Sequence, residues 1–138
     1  MRVEFYVLSS ATADGRLRAA CQLASKAWKA GLPVFLRGAD EAQCAALDQL
    51  LWSFRPESFI PHGLHEEDPQ APVVIGLHQA PSQAGGVLLN LHPQLSPHLA
   101  QFSRVIEIVN QEPALLAQCR DSFRQYRQLG HDPQRVEL

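Results

Sequence analysis

Long hydrophobic runs are missing from this chain of 138 residues. Although 46% of the residues are hydrophobic, no apolar stretch approaches the ~20 residues that a membrane-spanning helix needs. Arg2 and Glu4 interrupt the first apolar stretch, which leads directly into a strand pattern, so we expect no signal peptide. A chain of this length buries roughly two thirds of the surface that its unfolded form exposes. We therefore expect a single domain, residues 1–138, with its own hydrophobic core.

An excess of positive charge is also missing. Twelve lysines and arginines stand against 14 aspartates and glutamates, which gives a formal net charge of −2. Domains that bind nucleic acid by neutralising its phosphates usually carry a clear basic excess. The balance therefore argues against a protein that binds DNA directly, and it leaves room for a local patch of either sign.

The chain also lacks paired cysteines and the residue spacings that are typical of catalytic or metal-binding sites. Cys21, Cys44 and Cys119 are far apart and form no CxxC pair, which is typical of buried thiols in a reducing cytosol. His62 and His65 precede three acidic residues, but the spacing offers no third metal ligand in an ordered element. No Ser-His-Asp set can be assembled with any specificity. We predict no cofactor, no metal site and no catalytic residue.

What the chain does have is a regular alternation of strand and helix patterns. A helix capped by Asp14 follows the first strand, and a helix capped by Asp40 follows the second. A last helix opens at Glu112-Pro113 and runs to Leu129, where Gly130 stops it. Residues 53–71 are expected to form an irregular connection, and residues 131–138 a C-terminal tail. Apolar runs predict strands over residues 3–9, 33–36, 73–77, 87–91 and 105–109.

Strands that alternate with helices over short joints indicate right-handed βαβ units. The predicted fold is a three-layer α/β/α open sheet, mostly parallel and Rossmann-like, without a phosphate-binding loop. The joint after the first strand, residues 10–15, holds one glycine and matches neither GxGxxG nor GxxxxGK[ST]. A small nucleotide- or flavin-binding enzyme of doubly wound fold remains the alternative function.

The segment after the second helix is rich in aromatic residues. Trp52, Phe54 and Phe59 lie close together, and Ile60 and Pro61 follow them. Loops run over protein surfaces, and aromatic anchors dominate the binding energy of protein interfaces. The segment is a candidate interface. The alternative is a loop whose aromatic side chains pack back onto the domain's own core.

The last helix carries a basic stripe. Arg120, Arg124 and Arg127 fall within roughly 60° of one another on a helical projection, and Leu116 and Phe123 border them. Arginines beside an apolar edge suit an acidic peptide that ends in an apolar side chain. The alternative is a solvated helix face whose cations complement the helix dipole.

Several strings in the sequence resemble one protein family. They are FYVLSS near the N-terminus, ASKAWKAG at the end of the first helix, LDQLLWSFRPESFIPH, and RDSFRQYRQLG in the last helix. The third string is the most specific. With these strings the chain resembles the chi subunit of the bacterial DNA polymerase III holoenzyme, a small accessory protein of the clamp loader.

The resemblance implies a cytoplasmic adaptor that reaches DNA only indirectly and catalyses nothing itself. Chi proteins pair one to one with the psi subunit of the clamp loader. The implied psi contact comprises Trp52, Phe59, Ile60 and Pro61.

Chi proteins also bind the acidic C-terminal tail of single-stranded DNA-binding protein, which ends in Asp-Ile-Pro-Phe. The implied tail site comprises Val109, Arg120, Phe123 and Arg124, with the terminal phenylalanine inserted beside Val109 and Phe123. Two positions depart from the family pattern: Leu116 replaces a lysine, and Phe123 replaces a tyrosine. We therefore expect weaker tail binding, or binding shifted toward Arg124 and Arg127.

Overall fold

The structure is a computed structural model that describes residues 1–53 and 59–138. Phe54, which the sequence places in the aromatic segment, lies outside the described residues. The described elements are β1 (Arg2–Val7), α1 (Ala13–Lys29), β2 (Val34–Arg37), α2 (Glu41–Ser53), β3 (His62–Leu64), β4 (Val73–Gly76), β5 (Gly86–Asn90), a 3₁₀ turn (Leu99–Gln101), β6 (Phe102–Val109), α3 (Pro113–Gln128) and β7 (Gln134–Glu137).

The strands form one sheet in the order β3-β4-β2-β5-β6-β1-β7, and every neighbouring pair is parallel. One core cluster joins α1 and α2 to one face, with Ala20 and Leu47 fully buried. A second cluster joins α3 to the other face through Tyr126. The predicted three-layer α/β/α fold is confirmed.

Two strands were not predicted. β3 has only three residues and lies inside the segment expected to be irregular, where it pairs with β4 alone. β7 lies where the sequence indicated a tail, and it pairs with β1 from Glu4↔Gln134 to Val7↔Glu137. Both are edge strands, so neither needs the continuous apolar run that marks a strand covered on both faces.

The helix boundaries follow local capping. The side chain of Thr12, rather than that of Asp14, accepts the hydrogen bond from Gly15 N at 3.1 Å and caps α1. At α3 the carboxylate of Glu112 accepts from Leu115 N at 3.0 Å. Gly130, with a φ of 91°, adopts the left-handed conformation that ends a helix. No helix in the described part of the chain is both long and apolar enough to cross a membrane.

Candidate protein-binding surfaces

A buried polar row fixes the position of α3 on the sheet. The strand registers align Arg37, Asn90 and Glu107 across three neighbouring strands on the face that α3 covers, and Phe5 lies next to Glu107 on the fourth. Tyr126 of α3 is fully buried and donates its hydroxyl hydrogen to Glu107 Oε2 at 2.6 Å. Asn90 Nδ2 donates to the same oxygen at 2.9 Å. The helix is therefore tied to the centre of the sheet by a specific contact as well as by apolar packing.

Burial raises the pKa of Glu107 to about 7. The hydrogen bonds from Tyr126 and Asn90 and the charges of Arg37 and Arg16 oppose that rise. Burial and the neighbouring Glu107 charge raise the pKa of the Tyr126 phenol, which therefore keeps its hydrogen and acts as a donor. The hydrogen-bonded group of Tyr126, Asn90 and Glu107 serves to hold α3 on the sheet, since every polar partner of Glu107 lies inside the protein.

Two arginines fill the carboxyl ends of the central strands, where open α/β sheets usually bind their ligands. Arg16 donates from Nε to Ile108 O at 2.9 Å and from Nη2 to Leu91 O at 3.0 Å. Arg37 donates to two further carbonyl oxygens, at 2.8 and 2.6 Å. Both side chains satisfy backbone groups in the place that a nucleotide would occupy.

The loops after β1 and β6 are also joined directly. These neighbouring strands lead to helices on opposite faces of the sheet, which makes their carboxyl ends the switch point of the topology. Gln111 N donates to Ser10 O at 2.8 Å, and Asn110 Nδ2 donates to Thr12 O at 3.2 Å. The described loops therefore close the crevice with their own hydrogen bonds.

The outer face of α3 carries the predicted basic stripe. Arg120, Arg124 and Arg127 are exposed, while Leu116 and Phe123 are half-buried against the core. The ring of Phe123 lies 5.4 Å from that of Phe5, centroid to centroid. The guanidinium carbon of Arg127 lies 5.0 Å from the Phe123 centroid, within the range of a cation–π contact. We call these five α3 residues the basic edge.

The three arginines of the basic edge differ in their partners. Arg124 Nη2 lies 2.6 Å from Asp121 Oδ1, and Arg127 stacks on Phe123. Arg120 makes no ion pair within residues 1–53 and 59–138. An incoming carboxylate would compete with an internal partner at Arg124 but not at Arg120.

Val109 lies beneath α3 and has only 6% of its surface exposed. The cavity that it lines with Cys119 and Ser122 has a volume of about 20 Å³, which is room for one water molecule. In this conformation the cavity is smaller than a phenylalanine ring. The insertion of a ring beside Val109 and Phe123 stays a prediction.

Arg135 adds a cation that the sequence analysis missed. The register Phe5↔Arg135 places its side chain on the face covered by α3. Arg135 and Arg120 both oppose the rise in the pKa of the Cys119 thiol that burial causes, so Arg135 lies near the part of α3 that carries Arg120. Its guanidinium also pairs with Glu137 Oε1 at 2.9 Å. The strand segment Gln-Arg-Val-Glu holds a single apolar residue, so no alternation of apolar and polar residues marked it in the sequence.

The aromatic segment keeps two rings on the surface. Trp52 and Phe59 are 57% and 63% exposed, and their ring centroids lie 5.5 Å apart. We call this pair the aromatic cluster. Ile60, which the sequence analysis grouped with them, is only 1% exposed and belongs to the core, so it cannot touch a partner in this conformation. Pro61 is half-buried.

The side chain of His62 packs against the inner side of the aromatic cluster. Its side chain is 1% exposed, and its ring lies 4.7 Å from that of Trp52. Nδ1 lies 2.6 Å from Ile60 O and therefore carries the hydrogen that it donates to this carbonyl. Nε2 lies 3.4 Å from Asp48 Oδ1 of α2. Buried Ile60 and this histidine thus hold the end of the segment while Trp52 and Phe59 stay accessible.

Comparison with known proteins identifies the family. The family model described as DNA polymerase III chi subunit, HolC, matches residues 1–134. The chain belongs to this chi subunit family. It is 50% identical to DNA polymerase III subunit chi of Pseudomonas aeruginosa over 130 residues, which cover 94% of this chain and 92% of that protein.

Two further chi subunits are more distant. The Escherichia coli protein is 32% identical over 133 residues, which cover 91% of this chain and 90% of the relative. The Haemophilus influenzae protein is 31% identical over 130 residues, with 92% and 90% covered. Chi subunits are accessory proteins of DNA replication and have their partners within the polymerase III holoenzyme, so this chain is assigned to that role.

Proposed function

We propose that this chi protein is a non-catalytic adaptor that binds the psi subunit through its aromatic cluster and the acidic tail of single-stranded DNA-binding protein through its basic edge. The observation that carries the proposal is the arrangement of the two surfaces. The aromatic cluster belongs to the α2 layer and the basic edge to the α3 layer, on opposite faces of the sheet. Both partners can therefore bind at the same time.

The basic edge suits an acidic tail that ends in phenylalanine. Arg120 is exposed and makes no ion pair with the residues that the structure describes, so it can meet a carboxylate, and Arg124 can exchange Asp121 for a ligand carboxylate. Charge-assisted hydrogen bonds contribute roughly 1.5–3 kcal/mol each where they are shielded from water. In this conformation the terminal ring of the tail would lie across Leu116 and Phe123, because the cavity at Val109 is smaller than the ring.

The aromatic cluster suits an apolar partner surface. Two large rings that remain more than half exposed on an anchored segment resemble the aromatic anchors of protein interfaces. Psi is the partner that the family role favours for this surface. Burial of Trp52 and Phe59 against it would supply most of the affinity.

The adaptor would reach DNA only through the protein that coats it. The formal charge of −2 argues against direct phosphate binding. The described cysteines are free thiols, which agrees with a place in the bacterial cytoplasm beside the replication machinery. The nucleotide- or flavin-binding alternative gains no support, because Arg16 and Arg37 occupy the carboxyl ends of the central strands.

A labelled peptide of acidic residues ending in Asp-Ile-Pro-Phe tests the tail contact by fluorescence anisotropy. We expect binding to the wild-type protein that weakens as salt is added, and much weaker binding when the terminal phenylalanine is removed. Equal binding of the truncated peptide, or binding that salt leaves unchanged, would contradict the proposal.

A further inference from the structure

A groove of about 430 Å³ lies between the first turns of α2 and the carboxyl ends of β3 and β4. Its floor is formed by buried Cys44 and Ile75, and its walls by half-buried Leu64 and Leu77 and by exposed Ala45. The groove lies on the α2 side of the sheet. It is separate from the basic edge, and it is large enough to receive a long side chain.

The rim of the groove is acidic. Glu41 and Glu66 line it and are exposed. Asp40 precedes the first of them, and Glu67 and Asp68 follow the second, all three also exposed. None of these five acids pairs with a cation in the part of the chain that the structure describes.

The backbone N–H groups at the start of α2 are partly occupied by side chains of the chain itself. Asp40 Oδ1 accepts from Gln43 N at 2.8 Å, and Gln43 Oε1 accepts from Ala39 N at 2.7 Å. A ligand anion would have to displace these contacts and approach the carboxylates. The groove therefore favours a cation.

The groove and the aromatic cluster share one side of α2. Ala45, Asp48 and Trp52 follow each other at spacings of three and four residues, which places them on one helix face. Asp48 approaches His62, and His62 contacts Trp52. Seven residues of helix separate the two features by about 10 Å, so a single segment of a partner can cover both.

We propose that this groove binds a basic segment of the partner protein that covers the aromatic cluster. The aliphatic stem of a lysine or arginine would lie on Leu64 and Leu77 while its charge meets Glu41 and Glu66, as long cationic side chains do at apolar surfaces. The inference rests on the proposed psi contact and adds to it the chemistry of the bound segment. Psi would place an apolar surface on Trp52 and Phe59 and a cationic side chain in the groove.

The test compares two variants with the same change in charge. Glu41→Gln with Glu66→Gln, the rim variant, removes the two charges that line the groove, and Asp132→Asn with Glu137→Gln neutralises two exposed acids near the opposite edge of the sheet. Binding of psi from the same bacterium is measured by titration calorimetry at low and high salt. Since exposed ion pairs contribute little individually, we expect the rim variant to bind about two- to tenfold more weakly at low salt. We expect the control variant to bind as the wild type does.

A photo-crosslinking residue in place of Ala45 adds a readout of position. This side chain is exposed, so the substitution leaves the core intact, and cross-links to psi are expected from it. The groove proposal is overturned if the rim variant binds psi with wild-type affinity at low salt. It is also overturned if position 45 cross-links to a second copy of the chain instead of psi. Neither result contradicts the proposed contact between psi and the aromatic cluster. Failure of the wild-type protein to bind psi overturns the proposed psi contact itself.

Discussion

Tyr126 of α3 and Glu107 of β6 are joined by a buried hydrogen bond of 2.6 Å between the phenol and the carboxylate. The same tyrosine ring packs edge-on against Phe5, 5.8 Å away between centroids, and Phe5 in turn supports Phe123 of the basic edge. The outer surface of α3 is thus connected to the polar row in the sheet through two aromatic side chains.

Removing the Tyr126 hydroxyl should destabilise the protein. Tyr126→Phe keeps the ring contact with Phe5 and leaves Glu107 with Asn90 as its remaining side-chain donor. Loss of one partner from a buried polar group costs roughly 1–3 kcal/mol. Urea denaturation measures the free energy of unfolding, and a change below about 0.5 kcal/mol, the usual range for surface substitutions, would contradict this role.

The buried carboxyl of Glu107 should make stability depend on pH. Its pKa is about 7 in the folded protein, against an ordinary value of 4.5, so the folded state holds a proton that the unfolded state has already released. The contribution of this group is therefore fully present below pH 4.5 and is lost as the pH rises toward 7.

Glu107→Gln serves as the control for this pH dependence, because the amide does not titrate. As the pH rises from 4.5 to 7, the unfolding free energy of the wild type should fall relative to that of the variant. A difference that stays constant over this range would contradict the raised pKa. Unfolding in urea at a series of pH values gives both curves.

Arg120 and Arg124 should contribute unequally to tail binding. Arg120→Ala removes a cation without an internal ion pair among the described residues, and we expect about a tenfold loss of affinity, at the lower end of a charge-assisted hydrogen bond. Arg124→Ala should cost less, since Arg124 must first leave Asp121. Anisotropy with the acidic peptide measures both, and a larger effect at Arg124 would contradict this ranking.

Arg135 of β7 should strengthen tail binding through its charge. Arg135→Gln is expected to weaken binding about two- to threefold at low salt, in the range of an exposed charge contact. Arg18→Gln is the matched control, because it removes an exposed cation that pairs with Asp14 on the α1 side of the sheet. Equal affinities of the two variants would exclude Arg135 from the site.

The fold was largely predictable because its central strands and the three helices of the described residues carry strong local patterns. The basic stripe was also predictable, since a period of 3.6 residues is enough to align Arg120 and Arg127. β7 was missed because an edge strand on one neighbour can be almost entirely polar, and with it Arg135 was missed. The burial of Ile60 could not be predicted, because the direction of a side chain in a proline-rich connection depends on tertiary contacts.

The size of the cavity at Val109 was likewise beyond sequence reasoning. It depends on how closely α3 approaches β6, which is set by the Tyr126–Glu107 contact and by the packing of Phe5 and Phe123. Those contacts join residues that are distant in the sequence. A pattern within one helix predicts which side chains face the sheet but not the space left between them.

The most direct test of the two-surface adaptor measures how much of each partner is bound by variants that change only one of the two surfaces. Purified wild-type protein, Phe59→Ala and Arg120→Ala are each mixed with psi and with single-stranded DNA-binding protein, and both bound proteins are quantified. We predict that Phe59→Ala loses psi and keeps the DNA-binding protein, while Arg120→Ala shows the reverse. Loss of the same partner by both variants, or retention of both partners by both variants, would contradict two independent surfaces.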